Sequence, residues 1–356
     1  MINLIRSPYY LSYAYADADV TGAQIDLYIY SGDQTTGVPA TPTISLTHTR
    51  PSVDVLNMDI DISNIIRSYL DPKPFINIVS PAHVISTGTD DLKWVKFDIT
   101  WQSTGTPPAN NAGTILASDG YGFYKEGINP NKTGILTDVI RRKVDRKGII
   151  LVPFLNDGTY TSYTVNGVGG AITGSTNSNE RVKRICVNVA EYTGVNSIVV
   201  ALKDGSSTFY RYYDIEDECL YPVKNVVYKN RYGAYDTLTM FKKSVQSLGV
   251  EKEKFINNYV SGGVYDTQAH QFHDINLHAS EMIKCNSGFV KESESDLYKQ
   301  LMLSDSVYFY QNEGASYTLT PVIVKTSNLE YKTRVNERLI NYELDFEIAY
   351  NTIQTV

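Results

Sequence analysis

Apolar and polar residues alternate with a period of two along much of this chain. The pattern is clear over residues 24–30, 94–101 and 208–213, and most regular over 341–350, which reads NYELDFEIAY. Successive side chains of an extended strand point to opposite faces, so each stretch predicts a strand with one buried and one wet face. Turn-forming residues separate the stretches. Asn156-Asp157-Gly158 and Asp204-Gly205 read as hairpin turns, and 104–113 (TGTPPANNAG) and 167–178 (GVGGAITGSTNS) read as loops.

The pattern divides the chain into three expected domains. Residues 1–127 carry expected strands at 24–30, 43–49, 54–62, 93–102 and 121–125. Ser63 is placed to cap a short helix over 64–70 that Asp71-Pro72 ends. A two-layer sandwich is the simplest way to bury these faces. Residues 128–217 open with an expected helical turn over 137–146. Strands follow at 149–155, 161–165, 181–192, 197–202 and 207–214, predicting a second small sandwich or barrel.

Residues 218–356 predict strands at 223–229 and 237–242 about a turn at 230–234, then a short charged helix over 250–257. Extended segments at 272–279 and 281–285 come next. A helix begins at Ser293 or Ser295 and runs to Leu303, with Leu297, Leu301 and Met302 on one face and Glu294 and Asp296 at its positive end. Strands at 307–310, 318–325, 329–334 and 339–350 complete a sheet-dominated α+β domain. The expected fold is therefore mainly β: two N-terminal β-sandwich-like domains followed by an α+β domain.

Composition narrows the function classes. The 356 residues include 28 Tyr against 11 Phe and 2 Trp. Tyr joins a flat apolar body to a polar tip, which suits surfaces that are wet in the free chain and buried on assembly. A net charge of −7 argues against coating nucleic acid. The charge is uneven: 13 acidic against 7 basic residues over 1–127, 9 against 11 over 128–217, and 17 against 14 over 218–356. The middle region owes its sign partly to Arg141, Arg142, Lys143, Arg146 and Lys147, either a solvated face or a patch that docks on an acidic neighbouring subunit. Three widely spaced cysteines, Cys186, Cys219 and Cys285, fit folding in a reducing cytosol. Arg6 and Pro8 interrupt the apolar run a leader peptide needs, and no stretch approaches about 18 consecutive apolar residues, so no membrane span is expected.

Candidate chemistry is sparse. His270, His273 and His278 lie in HQFHDINLH, but on a strand His270 and His273 face opposite sides and cannot share a metal without a bulge. Asp59 and Asp61 alternate with Met58, Ile60 and Ile62 and read as the wet face of a strand. Asp214, Glu216, Asp217 and Glu218 could hold a cation or simply be solvated. Gly167-Val168-Gly169-Gly170 has no following helix to cradle a phosphate, and no GxSxG, HExxH or GxxxxGK[ST] occurs. No catalytic residue, cofactor or metal site is predicted, and a non-enzymatic role is expected.

Short segments at intervals along the chain resemble a pattern in structural proteins of tailed bacteriophages that infect Bacteroidota. They begin with Ile5-Arg6-Ser7-Pro8-Tyr9-Tyr10, Asp26-Leu27-Tyr28-Ile29-Tyr30-Ser31-Gly32 and Asp61-Ile62-Ser63-Asn64-Ile65-Ile66. Glu218-Cys219-Leu220-Tyr221-Pro222-Val223, Tyr228-Lys229-Asn230-Arg231-Tyr232-Gly233 and Thr239-Met240-Phe241 follow. The last are Lys284-Cys285-Asn286-Ser287-Gly288-Phe289-Val290 and Leu339-Ile340-Asn341-Tyr342-Glu343-Leu344-Asp345-Phe346. The resemblance implies a virion component of the tail, baseplate or neck, made and assembled in the host cytoplasm. Its partners would be copies of itself and other virion proteins, held in a ring or sleeve through sheet edges and Tyr-rich faces. The expected interface residues are Tyr9, Tyr10, Tyr13, Tyr15, Arg141, Arg142, Lys143, Tyr342, Phe346 and Tyr350, against the alternative that each packs within its own domain. A glycan- or receptor-binding module is the rival reading, because exposed aromatics also stack on sugars.

Overall fold

The strands predicted by alternation recur as the framework of a mainly β protein. The computed structural model describes residues 1–70, 83–87, 92–174, 176–218, 220–257, 260–265, 267, 268, 270–312, 317–328 and 339–350. The expected strand at 329–334, the Asp71-Pro72 helix stop and Cys219 lie outside these residues. The chain divides into two units. The first comprises Met1–Asp217 and Val227–Leu238, the second Glu218–Val226 and Thr239–Val356. A division thus falls after Asp217, but none falls at 127.

The first unit is built on two sets of sheets. One is six-stranded, in the order Ile44–Thr49, Val20–Tyr30, Lys93–Ser103, Asn111–Ser118, Ile2–Leu4, Asn131–Lys132. Val20, Ile25 and Leu27 turn inward while Gln24 faces water, as the alternation requires. The pair Tyr10–Ala14 and Asn57–Asp61 lies opposite, and Leu11, Met58, Ile62 and Ile66 meet Ile25, Val95 and Ile99 in one core. The other set joins a five-stranded sheet, ordered Arg141–Asp145, Ser207–Glu216, Ser197–Asp204, Tyr160–Val165, Val168–Ala171, to a three-stranded one, Ile149–Leu155, Val182–Asn188, His83–Thr87. Val152, Phe154, Ile185, Ile198, Val200 and Tyr213 fill the space between. A third cluster, with Ile2, Leu4, Trp94, Leu155, Val182 and Tyr232, draws on both sets, and His83–Thr87 crosses from the first to the second. That shared burial is why residues 1–217 form one unit.

Several local expectations change. Residues 121–125 hold a 3-10 turn, Tyr124–Glu126, and the strand instead starts inside the expected loop, at Asn111. The expected helical turn over 137–146 is the strand Arg141–Asp145, paired in parallel with Ser207–Glu216. Part of the 167–178 loop is an exposed edge strand, Val168–Ala171. The short helix is Ser63–Arg67, and its cap is not Ser63: the Asp61 carboxylate accepts the Ser63 N–H at 2.9 Å.

The hairpin Val227–Leu238 belongs to the first unit although its flanks belong to the second. Its turn is closed by the Asn230 side-chain oxygen, which accepts from the Tyr232 and Ala234 N–H groups, with Gly233 at φ 81° where a side chain is disfavoured. Asp236 is 1% exposed and receives Arg142 Nη2 at 2.6 Å and Thr137 Oγ1 at 2.9 Å, while Arg142 Nη1 donates to the Thr237 carbonyl at 2.7 Å. Lys229 Nζ stands 2.7 Å from Asp119 Oδ2 in a second buried pair. The Asp236 carboxylate holds the Arg142 guanidinium charged against the desolvation that opposes it. The hairpin is keyed into its unit by charge.

In the second unit the strands run in the order Val307–Asn312, Tyr317–Val324, Leu339–Ile348, Phe272–Lys291, Lys242–Ile256. Ile340, Tyr342, Leu344 and Phe346 point into the core; Glu343, Asp345 and Glu347 occupy the opposite face. The helix Ser295–Met302 buries Leu297, Tyr298 and Leu301, with Tyr298 4.5 Å from Tyr342 between ring centroids and Phe309 edge-on to Phe346 at 5.0 Å. A 3-10 turn, Glu292–Glu294, leads into it, and neither expected serine caps it.

Candidate assembly surface

The expected helix over 250–257 does not form. These residues belong to a 15-residue strand, Lys242–Ile256, paired antiparallel with a 20-residue strand, Phe272–Lys291. The second strand is flanked on both sides only from Met282 onward, where Leu339–Ile348 pairs with it. From Leu248↔Glu281 to Ile256↔Phe272, the two strands have only each other among the described residues. At about 3.3 Å per residue, this two-stranded ribbon reaches roughly 25–30 Å beyond the flanked part. At its far end Val260–Ser261 pairs with Val264–Tyr265 about Gly262 and Gly263, both at positive φ, the requirement of a two-residue hairpin turn.

The register sorts the ribbon's side chains into two faces. Paired residues share a face, so Leu248, Val250, Lys252, Lys254, Ile256, Phe272, Asp274 and Glu281 lie on one. Val245, Glu251, Glu253, Phe255, His273, Ile275, His278 and Met282 lie on the other. A bulge with Asn276 at φ 50° inserts one residue between His278 and Ile275 and so brings His273 and His278 to the same side. The charges alternate in sign at a spacing of one residue, Glu251-Lys252-Glu253-Lys254. That spacing gives a helix a single i,i+3 pair, Glu251 with Lys254, but gives a strand one sign per face. This was the sequence signal for a ribbon.

Each face is also apolar. Leu248 (58% exposed), Val250, Ile256 and Phe272 lie on one; Val245, Phe255, Ile275 and Met282 lie on the other, all at least 40% exposed. A two-stranded ribbon is marginal in water on its own. Fully burying a side chain of this kind stabilises by about 1.5–3 kcal/mol, so eight half-exposed ones form a large unused reserve. Exposed apolar side chains gathered on one element make the ribbon a candidate interaction surface.

The residues expected to form interfaces differ in where they lie. Tyr15, Arg142, Tyr342 and Phe346 are buried inside their own units and present no surface to a neighbour. Tyr9, Tyr10 and Tyr13 are half-buried, the first and last against the sandwich core, and Tyr350 is exposed. Arg141 and Lys143 are exposed but already partnered. Arg141 Nε and Nη2 donate to the two oxygens of Asp214 at 2.7 and 2.8 Å, Lys143 meets Glu216 at 2.6 Å, and Arg146 meets Asp217 at 3.4 Å. The parallel pairing of Arg141–Asp145 with Ser207–Glu216 sets the basic run beside the acidic run of the same chain. The basic patch needs no acidic neighbour, because the chain supplies one.

Other candidate chemistry resolves into structure. The Asp59 carboxylate accepts from the Ser12 hydroxyl, and Asp61 Oδ1 accepts the Tyr9 N–H at 3.0 Å, so both tie the two-stranded pair together. Glu218 accepts from Leu220 N–H and Lys242, which hold it below the usual carboxylate range. No group of three metal-ligating side chains occurs among the described residues. Cys186 and Cys285 are buried thiols; desolvation pushes Cys285 up to about 12. A shallow hollow of about 280 Å³ lies at the ribbon's root, beside Tyr221, Lys242, Lys243 and Phe289. No described helix is long and apolar enough to cross a membrane.

Neither a protein-family model nor a curated protein matches this sequence. Among solved structures, the chain is similar to SGBP-B of the Bacteroides ovatus mixed-linkage glucan utilization locus, in complex with a mixed-linkage heptasaccharide. The two are 10% identical, with a TM-score of 0.16, over 73% of this chain and 62% of that one. The chain therefore spans under two thirds of that protein's length. A likeness at this score carries no weight for fold or function.

Proposed function

We propose that this protein is a non-enzymatic structural subunit of a tailed-phage particle, in its tail, baseplate or neck, held in place by contacts between copies. The observation that carries this reading is the ribbon: two strands with four half-exposed apolar side chains on each face. A protein working alone gains nothing from such an arm, whereas a subunit gains its burial on assembly. The resemblance noted in the sequence supplies the particle; the ribbon supplies the reason to assemble. The test is the mass of the purified protein across a concentration series, with electron microscopy of the largest species. Rings or tubes are expected, and deleting 248–281 with a short turn in its place should return the protein to monomers.

A second reading has its own observation. Phe209, Tyr210 and Tyr212 are exposed on one strand, and the Tyr210 and Tyr212 rings lie stacked at 6.1 Å. Glycan or receptor binding would use these rings. Measurable affinity on a glycan array, lost in Tyr210→Ala, would support that role; no binding would remove it.

A further inference from the structure

We infer that the ribbon joins copies front to back: the Lys252/Lys254 face of one copy packs on the Glu251/Glu253 face of the next. The inference rests on the assembly reading and specifies its geometry. It starts from the register, which assigns each charge to a face. Over the outer stretch, Lys252 and Lys254 share their face with Asp274, and Lys252 Nζ stands 2.6 Å from the Asp274 carboxylate. Around these residues that leaves one net positive charge, which Glu281, paired with Leu248 at the inner end of the same stretch, cancels over its full length. The other face carries Glu251 and Glu253 with the imidazoles of His273 and His278, so it is net negative by two with His neutral. Nearer the root, Glu281 lies on the first face and Lys284 on the second. Lys252 and Lys254 on one face are thus complementary to Glu251 and Glu253 on the other.

Two of the alternatives place like charges together. A twofold pairing of the open edge of Lys242–Ile256 with itself, centred on Lys252 or Glu253, sets residues of equal parity opposite each other. Glu251 would then face Glu253 or Lys252 would face Lys254, and like charges directly opposite destabilise a sheet pair. Stacking like face on like face about a twofold that crosses the strands at this stretch sets lysines on lysines or glutamates on glutamates. Front-to-back stacking avoids both. Packed sheets lie about 10 Å apart, a gap that facing Lys and Glu side chains span together while apolar side chains fill it. Leu248, Val250, Ile256 and Phe272 of one copy would meet Val245, Phe255, Ile275 and Met282 of the next. An interface between two different faces is heterologous, and repetition closes it into a ring or extends it as a helix. The occupant of each ribbon face is therefore a second copy of this chain.

Charge reversal tests the arrangement in the full-length protein by sedimentation velocity over a concentration series. E251K/E253K makes both faces basic and K252E/K254E makes both acidic. Each alone should weaken assembly on the order of tenfold or more, less so at high salt. Mixing the two variants, or combining all four changes in one chain, should restore assembly, because opposite faces again attract. Restoration also shows that the single variants fold. Wild-type assembly with both variants assembling equally well would overturn the front-to-back inference and leave the subunit reading standing. Loss in both variants without restoration in the mixture or the four-change chain would overturn it as well. A wild type monomeric at every concentration would overturn both.

Discussion

The chain contains two antiparallel arms of opposite character. The hairpin Val227–Leu238 is buried, with every strand residue from Val227 to Lys229 and from Tyr235 to Leu238 inside, and fastened by Arg142–Asp236 and Lys229–Asp119. The ribbon of Lys242–Ile256 and Phe272–Lys291 is exposed on both faces along its outer half, where the ion pair among the described residues is a surface one, Lys252–Asp274. Buried ion pairs are geometrically demanding and costly to break, so the hairpin is committed to one site. Apolar side chains and surface charges are undemanding until a partner arrives. One arm is spent within its own chain; the other, in the assembly proposed above, is held for another.

Breaking the buried arm should have the largest effect. Asp236→Ala leaves Arg142 buried without its carboxylate and should lower stability by about 3–5 kcal/mol, read as a shift in the urea midpoint. Paired changes on the exposed arm should divide differently. Leu248→Ser with Phe272→Ser should move the unfolding free energy of the monomer by no more than about 0.5 kcal/mol while abolishing assembly. A fall in monomer stability as large as that of Asp236→Ala would show the ribbon to be part of the fold and erase the contrast.

Thiol chemistry locates where the exposed arm becomes interior. In a Cys219→Ser background, Cys285 on the long strand and Cys186 should not react with a thiol reagent at pH 8 before unfolding. Burial holds Cys285 at about 12, so little of the reactive thiolate forms at that pH. Leu248→Cys, farther along the ribbon, should react at once in the unassembled protein. The smallest effect belongs to the surface ladder: Arg141→Ala removes a solvent-exposed pair with Asp214 and should leave the denaturation curve unmoved.

Strands with one buried face were legible because their alternation records the core directly. Residues 341–350 turn Tyr342, Leu344 and Phe346 inward and Glu343, Asp345 and Glu347 outward as their spacing demands. The ribbon was misread because both of its faces are exposed, so hydrophobicity has no single period to report; only the alternating charge signs marked it. The basic run at 141–147 was legible as charge but not as partnered charge, since Asp214 and Glu216 lie some 70 residues away in sequence. The return of Val227–Leu238 to the first unit had no local signal, because its binding depends on Arg142 and Asp119. Tyr count likewise overstated surface: Tyr213, Tyr228 and Tyr298 are among the most deeply buried large side chains.

The strand Phe272–Lys291 runs unbroken from the water-exposed arm into a sheet where both of its edges are bonded. A pull applied along the arm would enter the second unit as shear, shared over many main-chain hydrogen bonds at once. In an assembly of the kind proposed, that rail would carry load from one subunit into the body of the next.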